Sequence, residues 1–494
     1  MSADAIPNSG CPGCQQRDQR IAELEQHLAD LQRQLDELRA RLDQTQQEGK
    51  RQAAPFRRHH HTPNPKKPGR PTGHPRSCRP LPSKPDRIID VPCERCPDCQ
   101  QPLIDKVVHT LFQTDLPPVV PVVTQFNVHG GTCPCCQRYH QGRHPEMISD
   151  ATGAANNQIG PLALTMAAEL KHRLGVPYRK IADFFHTYFR FRISPSTFVR
   201  AEQRLTAKAE PTFRLLLEAL RNCKVVHADE TGWRVGRINA WLWVFTCAKG
   251  TIYAICPSRG HDVPEAILGP DFDGILIVDG WSAYNVLKCR KGRCNGHILR
   301  RCRDLLEQEL PAKDAALLRE LMTLLRQGLE LSARREEVPE QDYQRLLVQW
   351  EEKYDEWLLV RSLEGGEEVR RLRKHLCQHY EEFTRHLYVP EVPATNNAAE
   401  QKIRPAVPLR KIGGCNKTLR GALVHAVLAS VIVSVHQRGL RFIELALALW
   451  RQRQPEALTL AGTPAPSTEE DSETERDCCY RTRPVRGAVA VPSG

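Results

Sequence analysis

The sequence predicts a multi-domain α/β protein, in which a strand-containing central domain is flanked by helical segments. Three observations support this fold class. The chain has 494 residues, enough for roughly three domains of about 150 residues each. Hydrophobic residues make up 40% and charged residues 26% of the chain, as in soluble globular proteins. Strand-like apolar runs are concentrated between Cys223 and Asn285, whereas the segments before and after this region have helical periodicity.

The first element is a coiled coil, predicted over residues 15–48. Its apolar residues are three or four positions apart, which places them in one stripe along a helix. They are Ile21, Leu24, Leu28, Leu31, Leu35, Leu38 and Leu42. Because a single helix cannot bury such a stripe alone, the pattern favours a homo-oligomer, with docking onto the same chain as the alternative.

Residues 50–87 are predicted to form a basic, proline-rich linker. The segment contains 11 Lys and Arg residues, one acid and nine prolines, which gives a local net charge of 11 − 1 = +10. Such a charge attracts polyanions, and the prolines prevent a regular helix. Lys66, Lys67 and Arg70 belong to a Lys-Lys-Pro-Gly-Arg-Pro sequence that resembles a hook for the minor groove of DNA. Non-specific attraction to phosphates and a solvated tether are the alternatives.

A cysteine-rich module is predicted at residues 91–145. Two Cys-x-x-Cys motifs in this module supply four thiolates, the set that a tetrahedral structural zinc ion prefers. Clustered cysteines in a chain without a secretory signal favour metal ligation over disulfides. The predicted zinc ligands are Cys96, Cys99, Cys133 and Cys136. Cys93 and Cys135 are alternative ligands, and buried free thiols are the alternative to a metal site.

Residues 158–210 are predicted to be helical and to contain a helix-turn-helix-like unit. Pro177 starts its first helix, and Ser194 caps the second. Its basic residues include Arg179, Lys180 and Arg200. A helix-turn-helix that binds DNA and a plain helical hairpin are both consistent with this pattern.

Two strand-like runs end in an acid. Asp229 follows a run that begins at Lys224, and Asp279 follows a continuous apolar run that begins at Gly274. With two strands and a short helix between them, these runs describe the start of an RNase H-like sheet, whose first and fourth strands are adjacent. Their acids can then share divalent cations, since Mg²⁺ prefers carboxylate oxygens and two ions about 4 Å apart support phosphodiester chemistry. Glu230 alternates with Asp229 along the strand, so only one of them is expected to face the site.

A third acid follows a helical insertion that is predicted at about 303–388. Glu400 lies at a predicted helix start, and basic residues follow it. The remaining predicted segments are a catalytic domain at 222–415, C-terminal helices at 416–455 and a disordered tail at 460–494.

The three acids and their surroundings resemble the DDE transposases of the insertion-sequence-sixty-six family. Asp229 lies in His-Ala-Asp-Glu-Thr-Gly-Trp, Asp279 in Val-Asp-Gly-Trp-Ser-Ala-Tyr and Glu400 in Asn-Asn-Ala-Ala-Glu. The resemblance covers roughly residues 15–450. It implies an RNase H-like catalytic domain, in which Asp229, Asp279 and Glu400 hold two Mg²⁺ ions. It also implies DNA cleavage and strand transfer at the terminal inverted repeats of an insertion sequence, with accessory proteins of the element as further partners.

The DNA-binding residues that this interpretation predicts are Lys66, Lys67, Arg70, Arg179, Lys180, Arg200, Arg404, Arg410 and Lys411. Cys294 and His297 fit a Cys-x-x-His element that lies between the second and third acids of such families, with a structural or a DNA-contacting role. Two residues depart from the family pattern. Thr395 and Gln401 stand where the family usually has Asp and Arg, and the loss of an Arg weakens phosphate contact.

Two other functions share most of these features. One is a DNA-binding repressor or decayed transposase without catalysis, and the other is a nuclease of the same fold without strand transfer. The presence of all three acids favours the transposase. The expected location is the cytoplasm, at the nucleoid when bound to DNA, because residues 1–14 contain no secretory signal. No membrane contact is expected, because the apolar segment Gly421–Val435 is interrupted by His425 and Ser430 and is too short to span a bilayer.

Overall fold

The structure is a computed structural model of the chain. It describes residues 83–102, 104, 110–117, 119–151, 159–361 and 364–463, together with Arg20, Gln26, Asp30, Gln32 and Arg33. Most of the predicted coiled coil, the linker up to residue 82 with Lys66, Lys67 and Arg70, and the tail from residue 464 lie outside these described residues. The chain divides into two units, Met1–Asp115 and Leu116–Gly494.

The second unit begins with a small hairpin and three helices. The hairpin pairs β1 (Gly130–Thr132) with β2 (Tyr139–Gln141) in an antiparallel arrangement. The helices are α1 (Pro161–His172), α2 (Tyr178–Phe189) and α3 (Pro195–Arg221). Buried Phe185 and Phe198 join α2 to α3, with ring centroids 6.0 Å apart. These two helices correspond to the predicted helix-turn-helix-like unit, although α3 continues to Arg221 and buries its second half under the sheet.

A five-stranded mixed sheet forms the centre of the second unit. Its strands are β3 (Val225–Val235), β4 (Ile238–Cys247), β5 (Gly250–Cys256), β6 (Ile275–Val278) and β7 (Arg290–Arg293). Their spatial order is β5-β4-β3-β6-β7. The first three pair antiparallel, whereas β6 is parallel to both β3 and β7. The first and fourth strands are therefore neighbours, as the sequence predicts.

The first strand is longer than its apolar run indicates. The sequence predicts that the strand ends at Asp229, but β3 continues to Val235 and pairs residue by residue with β4. The hairpin closes at Gly236, whose φ of +60° is a left-handed conformation that glycine adopts without strain. Asp229 consequently lies in the middle of a paired strand rather than at its end.

The two faces of the sheet pack against different helices. The remaining helices around the sheet are α4 (Asp262–Leu268), α10 (Asn397–Ile403), α11 (Ala406–Gly413), α12 (Leu419–Gln437) and α13 (Phe442–Arg451). One face, with Ala228 and Trp243, packs on α1, α3, α12 and α13. The opposite face, with Leu242 and Val244, packs on α10 and α11. Strand alternation assigns each residue of β3 to one of these faces.

The described residues between β7 and α10 form a π-helical turn (Glu356–Val360) and five α-helices, which share a hydrophobic core of their own. The α-helices are α5 (Asn295–Leu306), α6 (Ala312–Ala333), α7 (Glu340–Asp355), α8 (Glu367–Gln378) and α9 (Tyr380–Tyr388). Leu321, Tyr343 and Trp357 are among the buried residues of this core. Helix α5 starts immediately after β7, so the insertion leaves the sheet directly beside the predicted site.

Helix α12 is, among the described residues, the one whose length and apolar composition would suit a membrane span. With 19 residues, Leu419–Gln437, it is longer than the apolar segment Gly421–Val435 that the sequence indicates. Core helices of soluble proteins have the same length and composition, and 67% of the most apolar 18-residue stretch of α12 is buried inside the protein. Its Ser430 and Ser434 hydroxyls accept hydrogen bonds from the backbone N–H groups of Tyr253 (2.8 Å) and Thr251 (2.9 Å) on the edge strand β5. The apolar composition of α12 thus matches its packing against the sheet.

Candidate active site

Asp229 and Glu230 lie on opposite faces of β3. Asp229 pairs with Val244, so its side chain is on the face that packs against α10 and α11. Glu230 is buried on the other face, where one carboxylate oxygen accepts two hydrogen bonds from Arg259, at 3.1 and 2.9 Å. Its other oxygen accepts a hydrogen bond from the Tyr284 hydroxyl at 2.9 Å. Only Asp229 therefore faces the predicted site, whereas the Glu230 carboxylate forms hydrogen bonds with Arg259 and Tyr284 on the other face.

Arg259 connects Glu230 to the loop that follows Asp279. Its guanidinium stacks on the rings of Trp241 and Trp281, 4.2 and 3.6 Å from their centroids. These cation–π contacts add to the ion pair with Glu230. The Trp281 indole also donates a hydrogen bond to the Arg259 carbonyl at 3.3 Å. The cluster therefore holds the loop in place from the face opposite to Asp229.

Asp279 directly follows β6, next to β3. The side chains of Ile275 and Ile277 precede it on the same face of the sheet and are buried. The backbone N–H of Trp281 donates a hydrogen bond to the Asp279 carboxylate at 2.9 Å, and Gly280 between them has a φ of +106°. This turn fixes the carboxylate at the carboxyl end of β6.

Glu400 lies in the first turn of α10, and Asn396 attaches this helix to β3. Asn396 is fully buried, and its side-chain amide donates a hydrogen bond to the Ala228 carbonyl at 2.7 Å. Its side-chain oxygen lies 3.1 Å from Nδ1 of His227. The Asn396 carbonyl accepts the hydrogen bond of the Glu400 N–H at 3.2 Å. The start of α10 is thus held beside Asp229 by one side chain.

Asp279 and Glu400 act electrostatically on Asp229. Burial, and then the negative charges of Asp279, Glu230 and Glu400, raise the pKa of Asp229 to about 7, although the Glu230 N–H donates a hydrogen bond to its carboxylate. Asp279 and Glu400 therefore lie close enough to Asp229 to act on its charge, although Glu400 is 171 positions after Asp229 in the sequence. Nearby carboxylates that disfavour one another's charge are a common feature of cation sites.

Burial and this repulsion predict that Asp229→Asn stabilises the fold in magnesium-free buffer at pH 8. The folded chain holds the Asp229 proton up to a pH of about 7, whereas the unfolded chain releases it near 3.8. Stability from this group therefore falls as the pH rises from about 3.8 to about 7, and the amide avoids that loss. We expect the free energy of unfolding to rise by roughly 2 kcal/mol, measured by denaturant unfolding.

The matched control for this change is Glu391→Gln. Glu391 is an exposed acid whose ion pair with Lys224, at 3.7 Å, is solvent-screened. We expect its free energy of unfolding to stay within about 0.5 kcal/mol of the wild-type value. A destabilised Asp229→Asn variant at pH 8 would contradict the electrostatic argument.

Cys294 and His297 adjoin Glu400, a proximity that the sequence pattern did not predict. The three residues each offer a ligand atom, and these atoms lie within 4.8 Å of one another. Burial opposes ionisation of Cys294, but the neighbouring His297 and the Asn396 N–H lower the pKa of its thiol overall. The neighbouring Cys294 thiol in turn raises the pKa of His297. The Cys-x-x-His element thus belongs to the neighbourhood of the acids.

The predicted DNA-binding residues within the described part of the chain have two kinds of environment. Arg179, Lys180 and Arg200 are exposed on α2 and α3, and Arg404 and Lys411 are exposed around α11. Arg410 is different, because its guanidinium donates hydrogen bonds to the Gly232 carbonyl at 2.8 Å and the Thr231 hydroxyl at 3.2 Å. Arg410 therefore anchors α11 to β3 on the face that carries Asp229.

Each Cys-x-x-Cys motif forms the same local turn. In the first unit, the Gln100 N–H donates to the Cys96 carbonyl and the Cys96 N–H to the Gln101 carbonyl, both at 2.9 Å. In the second unit, the Gln137 and Cys133 N–H groups make the equivalent bonds at 2.9 Å. Backbone N–H groups of the following turn residues lower the pKa of the Cys96 and Cys133 thiols. Such turns favour the thiolates that a metal requires.

Comparison with known protein families matches this chain to the family model described as "Transposase IS66 family". The match covers residues 156–423, more than half of the 494-residue chain. It includes Asp229, Asp279 and Glu400, and also Cys294 and His297. The chain has no match among curated proteins.

Proposed function

The chain belongs to the IS66 transposase family, and from this membership and its three neighbouring acids we propose that it cuts and joins DNA at the ends of an insertion sequence. The family implies a role in DNA transposition and a nucleotidyl-transferase or endonuclease activity. More specifically, we propose a DDE mechanism, in which Asp229, Asp279 and Glu400 act in an RNase H-like domain. The strand order β5-β4-β3-β6-β7, with β3 beside β6, supports that domain assignment.

The acid cluster fits divalent cations such as Mg²⁺. Its donors are carboxylate oxygens, which Mg²⁺ prefers. The raised pKa of Asp229 reflects burial and neighbouring negative charges, and a bound cation would offset these charges. Asp229, Asp279 and Glu400 are the proposed ligands. Two bound ions would supply the positive charge that activates an attacking oxygen and stabilises the leaving one.

The protein's own groups position this chemistry. The Glu230 N–H orients the carboxylate of Asp229, and the Trp281 N–H orients that of Asp279. Asn396 holds α10, and with it Glu400, against β3. In the proposed reaction, water attacks the phosphodiester at the element end and frees a 3′-hydroxyl. That hydroxyl then attacks a target phosphodiester, so a new P–O bond forms as the target bond breaks and no covalent protein–DNA intermediate is needed.

DNA is the proposed partner of the basic residues. Exposed Arg179, Lys180 and Arg200 on α2 and α3 and exposed Arg404 beside Glu400 support phosphate contacts. Gln401 is exposed next to Glu400, so its replacement of the usual Arg removes one charge from this surface. Pairing of two DNA ends requires more than one subunit, and we propose that the coiled coil of residues 15–48 provides it. The reaction would take place in the cytoplasm, at the nucleoid.

We also propose that Cys96, Cys99, Cys133 and Cys136 bind structural zinc. The equivalent turns at Cys96 and Cys133 support this assignment. We expect the purified chain to contain at least about one zinc ion and Cys96→Ser to lower that content, measured by elemental analysis. Cys377→Ser, a half-buried thiol of α8, is the control that should retain zinc. Zinc well below one ion per chain, or unchanged in Cys96→Ser, would remove the assignment.

The test of the proposed function uses the full chain, Mg²⁺ and labelled DNA that carries an element end. We expect a nick that frees the 3′-hydroxyl, followed by joining of the labelled strand to a target plasmid, and neither product without a divalent cation. Binding without cleavage would support a repressor or decayed transposase instead. Cleavage without joining would support a nuclease of the same fold.

A further inference from the structure

A soft-ligand cluster adjoins the acid cluster and shares one residue with it. Cys294 precedes α5, His297 lies in the first turn of α5, and Glu400 lies in the first turn of α10. Their ligand atoms lie within 4.8 Å of one another, and Nε2 of His297 is 3.8 Å from a Glu400 carboxylate oxygen. Glu400 thus has two sets of neighbours, the acids and the pair formed by a thiol and an imidazole.

The backbone around this cluster is held in place from several directions. The Cys294 N–H donates a hydrogen bond to the Val278 carbonyl at 3.0 Å, at the end of β6. The Asn295 N–H donates to the Ala394 carbonyl at 3.1 Å, and its side-chain amide donates to the Phe383 carbonyl at 3.0 Å. Together with the contact between Asn396 and Ala228, these bonds fix both helix starts. Ligands on such a frame are organised before a metal binds.

The donor set differs in chemistry from the acid triad. One thiolate, one imidazole and one carboxylate are typical ligands of zinc, and three protein ligands leave a fourth position open for water. Mg²⁺ binds oxygen and has little affinity for sulfur. Cys294 is only 2% exposed, and Nδ1 of His297 is buried without a hydrogen-bond partner among the described residues. These donors therefore favour transition ions over Mg²⁺.

We propose that Cys294, His297 and Glu400 form a second metal site for zinc-like transition ions, and that its occupation withdraws Glu400 from the acid cluster and stops DNA cleavage. The binding part stands on the donor set alone, whereas the inhibition part rests on the proposed function. Binding releases the thiol proton and involves no redox change. Zinc then competes with Mg²⁺ for one carboxylate, so a large excess of Mg²⁺ restores activity.

The experiment uses the full chain with zinc in the proposed Cys-x-x-Cys site, and it has two readouts. Co²⁺ is the first probe, because a Co²⁺–thiolate bond absorbs strongly in the near ultraviolet and Co²⁺ replaces zinc in such sites. We expect an absorption that is present in the wild type and lost in Cys294→Ser. The second readout is inhibition of Mg²⁺-dependent cleavage by added zinc, relative to each protein's own rate without it. We expect Cys294→Ser to need at least about tenfold more zinc for half-inhibition.

Two further variants separate ligation from folding. Cys302→Ser removes another thiol of α5, which is buried in the core of the insertion. This variant should keep the Co²⁺–thiolate absorption. His297→Ala should lose the absorption, and it replaces Cys294→Ser if that variant does not fold. An identical Co²⁺ spectrum in Cys294→Ser, or identical zinc sensitivity in active protein, would overturn the proposal. A Cys294-dependent absorption without cleavage in any protein would support the metal site and refute the proposed function.

Discussion

Replacement of Asp229, Asp279 or Glu400 by its amide is expected to lower the rate of DNA cleavage at least about 1,000-fold, with DNA binding retained. The amide keeps the shape of the side chain but removes the negative charge that holds a divalent cation. The proposed DNA contacts lie on other residues, so affinity for the element end should not change. Single-turnover cleavage of labelled DNA and a gel-shift titration measure the two quantities separately.

Glu230→Gln is the informative comparison for this series. Glu230 adjoins Asp229 in sequence, but its carboxylate is on the opposite face and pairs with Arg259 and Tyr284. Loss of its charge leaves the Arg259 guanidinium without its ionic partner, so thermal stability should fall. Cleavage per folded molecule should stay within about tenfold of the wild-type rate. If Glu230→Gln stayed folded and abolished cleavage as completely as Asp229→Asn, the assignment of the two faces would be wrong.

The sheet was predictable where apolar side chains recur with the strand period. The run before Asp279 is a continuous apolar stretch, and it corresponds to β6 with burial on both faces. The short links between the first strands indicated antiparallel neighbours, and β3, β4 and β5 pair in that way. The adjacency of β3 and β6 then followed from the order of strands and helix. Local pattern was sufficient for these elements.

Tertiary contacts decide the elements that the sequence did not predict. Strand β7 has the sequence Arg-Lys-Gly-Arg, which has no strand propensity. It forms because β6 pairs with it and because its buried charges have partners elsewhere. Lys291 donates hydrogen bonds to the Leu287 and Cys289 carbonyls, at 2.6 and 3.1 Å, and Arg293 pairs with Glu382 of α9. None of these partners is indicated by the four residues themselves.

In the candidate site, too, local sequence predicts some features and tertiary contacts decide the others. The motifs predict the three acids, but they do not indicate what surrounds them. Arg410 was predicted to bind DNA, yet its guanidinium is engaged by Gly232 and Thr231 of β3. The proximity of Cys294 and His297 to Glu400 depends on two helix starts that are about 100 positions apart in the chain. Such convergence is a property of the fold and has no local signal.

Replacement of Asn396 is expected to impair both folding and cleavage, because its buried amide positions α10, the helix that contains Glu400. Asn396→Ala removes the hydrogen bond to Ala228 and leaves that buried carbonyl unpaired. We expect the free energy of unfolding to fall by about 2–3 kcal/mol. Displacement of α10 moves Glu400 relative to Asp229, so cleavage by the folded fraction should slow about 100-fold. Because Asn396 is buried and is not one of the proposed DNA contacts, the loss should be in the rate at saturating DNA rather than in affinity.

Asn397→Ala is the matched control, because Asn397 is the exposed neighbour at the start of the same helix. Its side chain has no buried role, so stability should change by less than about 0.5 kcal/mol and cleavage should persist. Asn396→Asp adds a sharper test. A carboxylate cannot donate to the Ala228 carbonyl, and it adds negative charge close to Asp229, so this variant should be at least as impaired as Asn396→Ala. If Asn396→Ala lost stability but kept the full cleavage rate, Asn396 would support the fold without positioning Glu400, and α10 would be held in place by its apolar contacts with β4.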